Sequence, residues 1–214
     1  GAIFIYKYDP LAQNWNLFQG PLCDAHDDDG FGHSVTISGN YIAVGAIYTE
    51  VDGQQLVGSV YMYEFDGNTW SAMPERLVPE NASTYDGWGT DLAMDDDYLV
   101  ISNLSGSNSQ GKACIYKNEN GYWNEKCKLF DENGSVDDGF GESISISGNR
   151  VAVGAQDRVC VFHRVTDEYW EQKTISDFNR NDSRFNVDIC NNTLLIGNYS
   201  GYGGPPSQQY NGEA

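Results

Sequence analysis

The densest group of metal-type ligands is Asp24, Asp27, Asp28 and Asp29, just ahead of Phe31-Gly32. Asp137 and Asp138 repeat the pattern before Phe140-Gly141, and Asp86 does so in part before Trp88-Gly89. Loop carboxylates and carbonyls can hold Ca²⁺, which takes about six to eight oxygens. Asp24, Asp27 and Asp29 are the candidate ligands. The competing reading is a solvated turn whose Asp side chains accept from local backbone N–H groups. Recurrence at one place in each repeat favours the turn. The three histidines, His26, His33 and His163, lie apart, and none stands in an H-E-x-x-H pattern. No Gly-rich run follows a strand and opens a helix, so no phosphate cradle is expected. These residues predict no catalytic set and no cofactor other than Ca²⁺.

Cysteine and asparagine point to a second kind of chemistry. Of five cysteines, Cys114 and Cys127 flank Asn120-Gly121, a type I′ hairpin signal. Counting outward from that turn sets 119 against 122 and reaches 114 against 127. A cross-strand disulfide fits such a close pair; the alternative is two buried thiols that face each other. Cys160 holds the same repeat position as Cys114 and should face Thr174. Cys23, Cys160 and Cys190 are left over. Six N-x-[ST] sequons occur, at Asn81, Asn103, Asn133, Asn181, Asn191 and Asn198, where chance predicts about two. Together with the disulfide they predict an oxidising, secreted setting with N-linked glycans. Tyr199, Tyr202 and Tyr210, in the Gly- and Pro-rich stretch 197–212, belong to no repeat core and are candidates for a contact surface.

Composition limits what these residues can serve. The chain has 214 residues, with 12 Lys plus Arg against 31 Asp plus Glu, a formal charge of −19. Such acidity repels phosphate backbones and anionic membranes, so nucleic acid is not an expected partner. No apolar run approaches the ~18 residues of a membrane span. The opening Ala2-Ile3-Phe4-Ile5-Tyr6 is strand-like, with no charged-then-apolar leader before it. That reads as a mature or excised piece. High Gly and many aromatics suit short strands joined by tight turns.

Internal repetition supplies the architecture. The stretch 31–46, FGHSVTISGNYIAVGA, recurs as FGESISISGNRVAVGA at 140–155. A looser copy occupies 88–103, and a fourth, 185–198, has lost about two residues near its start. Each reads as a hairpin with alternating apolar residues and a Ser-Gly-Asn-type turn. A second hairpin follows, whose outer strand opens near Trp70, Trp123 or Trp170. Four strands per ~50 residues is propeller-blade arithmetic. The fourth copy lacks its second hairpin, and residues 1–19, with Trp15, have the form of one. The expectation is an all-β propeller of four-stranded antiparallel blades. It has four blades, one split between the chain ends, with repeats starting near 31, 88, 140 and 185 and residues 1–30 completing the last.

Phe31-Gly32 with Gly45-Ala46, and Phe140-Gly141 with Gly154-Ala155, resemble FG-GAP repeats. That family includes the propeller head of integrin α chains and many secreted microbial and algal proteins. Two departures stand out: Ile47 and Gln156 replace the Pro of GAP, and the D-x-[DN]-x-[DN]-G calcium loop is reduced to three residues. Such short turns cannot cage Ca²⁺, so stability should not depend strongly on it. The resemblance implies a non-catalytic extracellular module, structural or adhesive, that contacts other protein subunits. The complementary half-blades add the expectation of a head-to-tail partner in a further copy of the chain, as in a filament or matrix. The alternative is a carbohydrate- or Ca²⁺-dependent ligand-binding domain.

Overall fold

A computed structural model describes residues 1–23, 28–103, 110–136, 138–156, 158–175 and 183–200. Among them there is no helix. Three complete blades are antiparallel sheets whose strands follow chain order. The first holds β3 (Phe31–Ser38), β4 (Tyr41–Ala46), β5 (Ser59–Phe65) and β6 (Trp70–Ala72), after the terminal hairpin of β1 (Ile3–Asp9) and β2 (Asn14–Leu22). The second holds β7 (Leu92–Asp95), β8 (Tyr98–Asn103), β9 (Lys112–Glu119) and β10 (Tyr122–Leu129). The third holds β11 (Ser143–Ser147), β12 (Arg150–Ala155), β13 (Arg158–Arg164) and β14 (Trp170–Ile175). A closing hairpin joins β15 (Ser183–Cys190) to β16 (Thr193–Ser200).

The blades stack face to face because alternate residues point to opposite neighbours. Ala43, Val60 and Met62 of the first blade meet Leu92, Met94 and Leu99 of the second. Val100, Ala113 and Ile115 turn the other way, onto Ile144, Ile146 and Val153 of the third. With both faces covered, the middle strands read as near-continuous apolar runs, and β8 is buried along its whole length. The Asn120-Gly121 turn is type I′ as predicted, with φ of 58° and 88°.

The fourth blade is not assembled. β1–β2 and β15–β16 are separate two-stranded sheets with no hydrogen bonds between them among the described residues. Each sits on the face of its nearest complete blade instead. Ile3, Ile5 and Leu22 cover Val44 and Trp70, while Val187, Ile189 and Ile196 cover Ala152 and Val161. The sheets therefore form an open stack rather than a closed ring.

The damaged fourth repeat has a simple account. In the first blade Phe31 pairs with Ala46 and Val35 with Val44, so β3 carries two more residues than β4 over that stretch. In the closing hairpin Phe185 pairs with Asn198 and Val187 with Ile196, without a shift. The residues lost are those of the bulge. Pairing also runs on to Arg184 with Tyr199, which places Tyr199 in β16 rather than in a loop.

Candidate functional site

The seams between blades are built from backbone and small polar side chains. The residue after the aromatic, Gly32, Gly89 or Gly141, has φ of 89°, 94° or 96°, a left-handed conformation that favours glycine. The aromatic itself, Phe31, Trp88, Phe140 or Phe185, is buried between sheets. Gly45 and Gly154 lie so close to the next repeat that an added Cβ would overlap the carbonyl oxygen of Gly89 or Phe185. The glycine that recurs at 45 and 154 is thus explained by a backbone-to-backbone approach.

Innermost strands β7, β11 and β15 would present unpaired N–H groups as sheet edges. Side-chain oxygens of the preceding blade accept from them. Val187, Ile189 and Asn191 N–H donate to Ser143, Ser145 and Ser147 Oγ at 3.0–3.1 Å. Ile144 N–H donates to Asp91 Oδ2 at 2.8 Å, Gly148 N–H to Asp95 Oδ2 at 2.5 Å, and Asp96 N–H to Ser38 Oγ at 3.2 Å. Burial still pushes the Asp91 carboxyl above its usual range, against the pull of these N–H groups. Asp95, which the Asp95-Asp96-Asp97 spelling marks as a turn residue, thus also reaches the next blade. The Ser-x-Ser-x-Ser spacing was visible in the sequence, and its role as an edge cap was missed.

Asp29, Asp86 and Asp138, each ahead of an aromatic, serve their own loops. Asp138 accepts from Ser135 and Phe140 N–H and pairs with Arg158 at 2.9 Å. Asp131, also buried, holds the same guanidinium at 2.5 Å. Asp86 accepts from Ser83 N–H and from Trp88 Nε1 at 3.2 Å. The Asp29 carbonyl accepts from Tyr48 N–H, as the Asp138 carbonyl does from Gln156. Asp24 and Asp27 lie outside the described residues. Among those described, no three His, Cys, Asp or Glu side chains converge in a metal-binding group.

The expected Cys114–Cys127 link is corrected by the register. Pairing runs from the turn to Glu125 opposite Tyr116, then a bulge at Lys126 shifts it, so Cys127 faces Ile115 and Cys114 faces Lys128. Cys114 thereby joins the core toward the first blade, and Cys127 packs toward the third. Both are free thiols, as are Cys23, Cys160 and Cys190. Burial pushes Cys114 far up and Cys127 and Cys160 to about 12, which makes them poor nucleophiles. Cys160 does face Thr174.

Among the sequons, Asn81, Asn133, Asn191 and Asn198 are exposed. Asn103 is not: it ends β8 buried, its Oδ1 accepting from Lys112 N–H at 2.8 Å, with no room for a glycan. Asn181, Tyr202 and Tyr210 lie outside the described residues.

The terminal hairpin presents an open apolar face. Tyr6 pairs with Leu17 and Tyr8 with Trp15, so these four share one face, with Phe4 beside them. The Tyr8 and Trp15 rings lie 5.4 Å apart. The face opposite, Ile3 and Ile5, is the one that packs on the first blade. Trp123 and Trp170 lean edge-on against Tyr41 and Tyr98 of the preceding blade. Trp15 meets no such partner among the described residues and is 63% exposed, against 5–8% for Trp70, Trp123 and Trp170. At the other end a groove of about 310 Å³ runs beside β16, floored by Val161, Ile175 and Leu194 and bordered by Arg150 and Lys173.

Stacked four-stranded antiparallel sheets of this kind define a propeller-like repeat protein. The FG-GAP repeat family model matches residues 23–63 and 123–159, so the chain carries FG-GAP repeats. These stretches hold the Phe31-Gly32 and Phe140-Gly141 seams. No curated protein matches the chain.

Proposed function

We propose that the chain is a non-catalytic extracellular module, structural or adhesive, that works through protein–protein contacts. The observation that carries this reading is the outward face of β1–β2, where Phe4, Tyr6, Tyr8, Trp15 and Leu17 stand 45–63% exposed. A contiguous aromatic face of this kind favours a partner over bulk water. The FG-GAP repeats support it, since such repeats are generally found in extracellular adhesion and ligand-binding modules. The exposed sequons at Asn81 and Asn133 support a glycosylated, secreted setting. No helix of the described residues is long and apolar enough to cross a membrane. Beads coated with the chain should cluster, and beads coated with a Tyr6→Ser, Trp15→Ser, Leu17→Ser variant of unchanged circular dichroism should not. Equal clustering of the two would overturn the reading.

A second reading, a carbohydrate- or Ca²⁺-dependent binding domain, is favoured by one groove of about 650 Å³ between the first and second blades. Tyr122 and Trp123 wall it and Glu64, Asp66 and Glu75 supply acidic groups. Binding to a glycan array that is lost with chelator would favour it, with Asp24, Asp27 and Asp29 as the ion's first candidates.

A further inference from the structure

We infer that the open ends are filled by a second copy of the chain, joined head to tail, with β1 of one protomer pairing with β16 of its partner. This rests on the contact function proposed above and names its partner. The two hairpins are the two halves of one blade. β15–β16 is the inner pair with its Asn191-Asn192 turn, and β1–β2 is the outer pair with its Trp strand.

The complete blades fix the register of the join. Gly45 pairs with Val60 and Ala43 with Met62, and Gly154 pairs with Val159 and Ala152 with Val161. By repeat position Gly197 then pairs with Ile3, Ile196 with Phe4 and Leu195 with Ile5. Three separate surfaces are satisfied at once by that register. The aromatic face of β1–β2 lands in the groove beside β16. There Trp15 meets Arg150, the residue that stands where Tyr41 and Tyr98 receive Trp123 and Trp170. Arg on an indole face is a favourable contact. At the first blade, Val35 and Ile37 are each 60% exposed, while their counterparts Leu92, Met94, Ile144 and Ile146 are 6–9% exposed. Leu195 of the joined hairpin, 57% exposed when alone, covers them. Last, Asn186 and Asp188 occupy the positions of Ser143 and Ser145, and so reach the edge N–H groups of Val35 and Ile37.

A second copy fills these positions without moving either hairpin. Both are already seated on their own blades in the manner of complete sheets. Gly1 lies tight against the Phe31 carbonyl, as Gly111 does against that of Phe140, and β15 is capped by three serines. Seated so, the two hairpins of one chain do not pair. The contact is heterologous, so it propagates until a ring closes or a filament grows. The charge of −19 opposes it, so association strengthens with salt.

Cross-linking tests the register. One preparation carries Ile5→Cys and another Leu195→Cys, both in a Cys23→Ser, Cys190→Ser background, and the two are mixed and oxidised with copper phenanthroline. The expected product is a non-reducing band at twice the 23.7 kDa of one chain, linked between positions 5 and 195. A chain carrying both substitutions should give a ladder. A single fast-migrating monomer from that double variant would mean closure within one chain and overturn the proposal. No link at all would overturn it too. If the coated beads still cluster while no link forms, contact between copies stands and the β1–β16 join fails. If neither occurs, both fail.

Discussion

Trp170 and Trp15 hold the same place in the repeat and live in different surroundings. Trp170 is closed in by Tyr98 and by the Arg164 guanidinium, 4.3 Å from the Tyr98 ring centroid and 6.0 Å from the Trp170 ring. Trp15 touches Tyr8 of its own hairpin and otherwise faces outward. Between complete blades the repeat thus spends its side chains on stability. At the ends the same side chains are free for contact. On the proposed reading, function lies where the repeat stops being satisfied; among the described residues no three His, Cys, Asp or Glu side chains converge in a metal-binding group.

Truncating the two tryptophans gives the widest separation. Trp170→Ala should lower unfolding free energy by ~3–5 kcal/mol, the cost of emptying a buried aromatic site. Trp15→Ala should cost ~0.5 kcal/mol or less in the isolated chain, yet should weaken its association. Denaturant melts of both variants, with mass measured alongside, check this. A comparable loss of stability from Trp15→Ala would show that the terminal hairpin is buried in solution.

Glycine at the seam comes next. Gly154→Ala drives a Cβ into the Phe185 carbonyl and should cost ~1–3 kcal/mol. Gly197→Ala, at the same repeat position on the open hairpin, meets only Asn186 at 3.9 Å. It should leave the melting midpoint of the monomer nearly unchanged while lowering self-association. Ser145→Ala removes the cap on Ile189 N–H, at 3.1 Å, and should cost ~1 kcal/mol. Amide exchange at Ile189 should rise with it.

The smallest effect is electrostatic. Lys117, at 2.6 Å, holds the half-buried Asp167 carboxyl below its usual value of 3.8. A depressed carboxylate contributes stability that is present above its unfolded pKa and lost as pH falls through the folded value. Asp167→Asn should therefore be slightly less stable than the parent at neutral pH. The two should converge as the pH drops below about 4, seen in thermal melts across pH.

Much of this arrangement was legible in the residues. Hairpins, turns and blade repeats follow from period-2 alternation and from Gly and Asn at positive φ, which are local signals. The Cys114–Cys127 pairing was not, because one bulge residue, Lys126, moves every later residue to the opposite face, and bulges carry no strong sequence mark. Asn103 carries a sequon in a buried strand end for a related reason: the motif is local and burial is not. The capping serines were in view as an alternating pattern. Their purpose depends on the neighbouring blade, which no single repeat reveals.

Sedimentation velocity over a range of concentrations bears most directly on the claim that the chain ends are complementary contact surfaces. The account predicts a mass above 23.7 kDa that climbs with concentration and with salt, and that returns to 23.7 kDa in the Tyr6→Ser, Trp15→Ser, Leu17→Ser variant. A single 23.7 kDa species at every concentration and salt, in parent and variant alike, would contradict it.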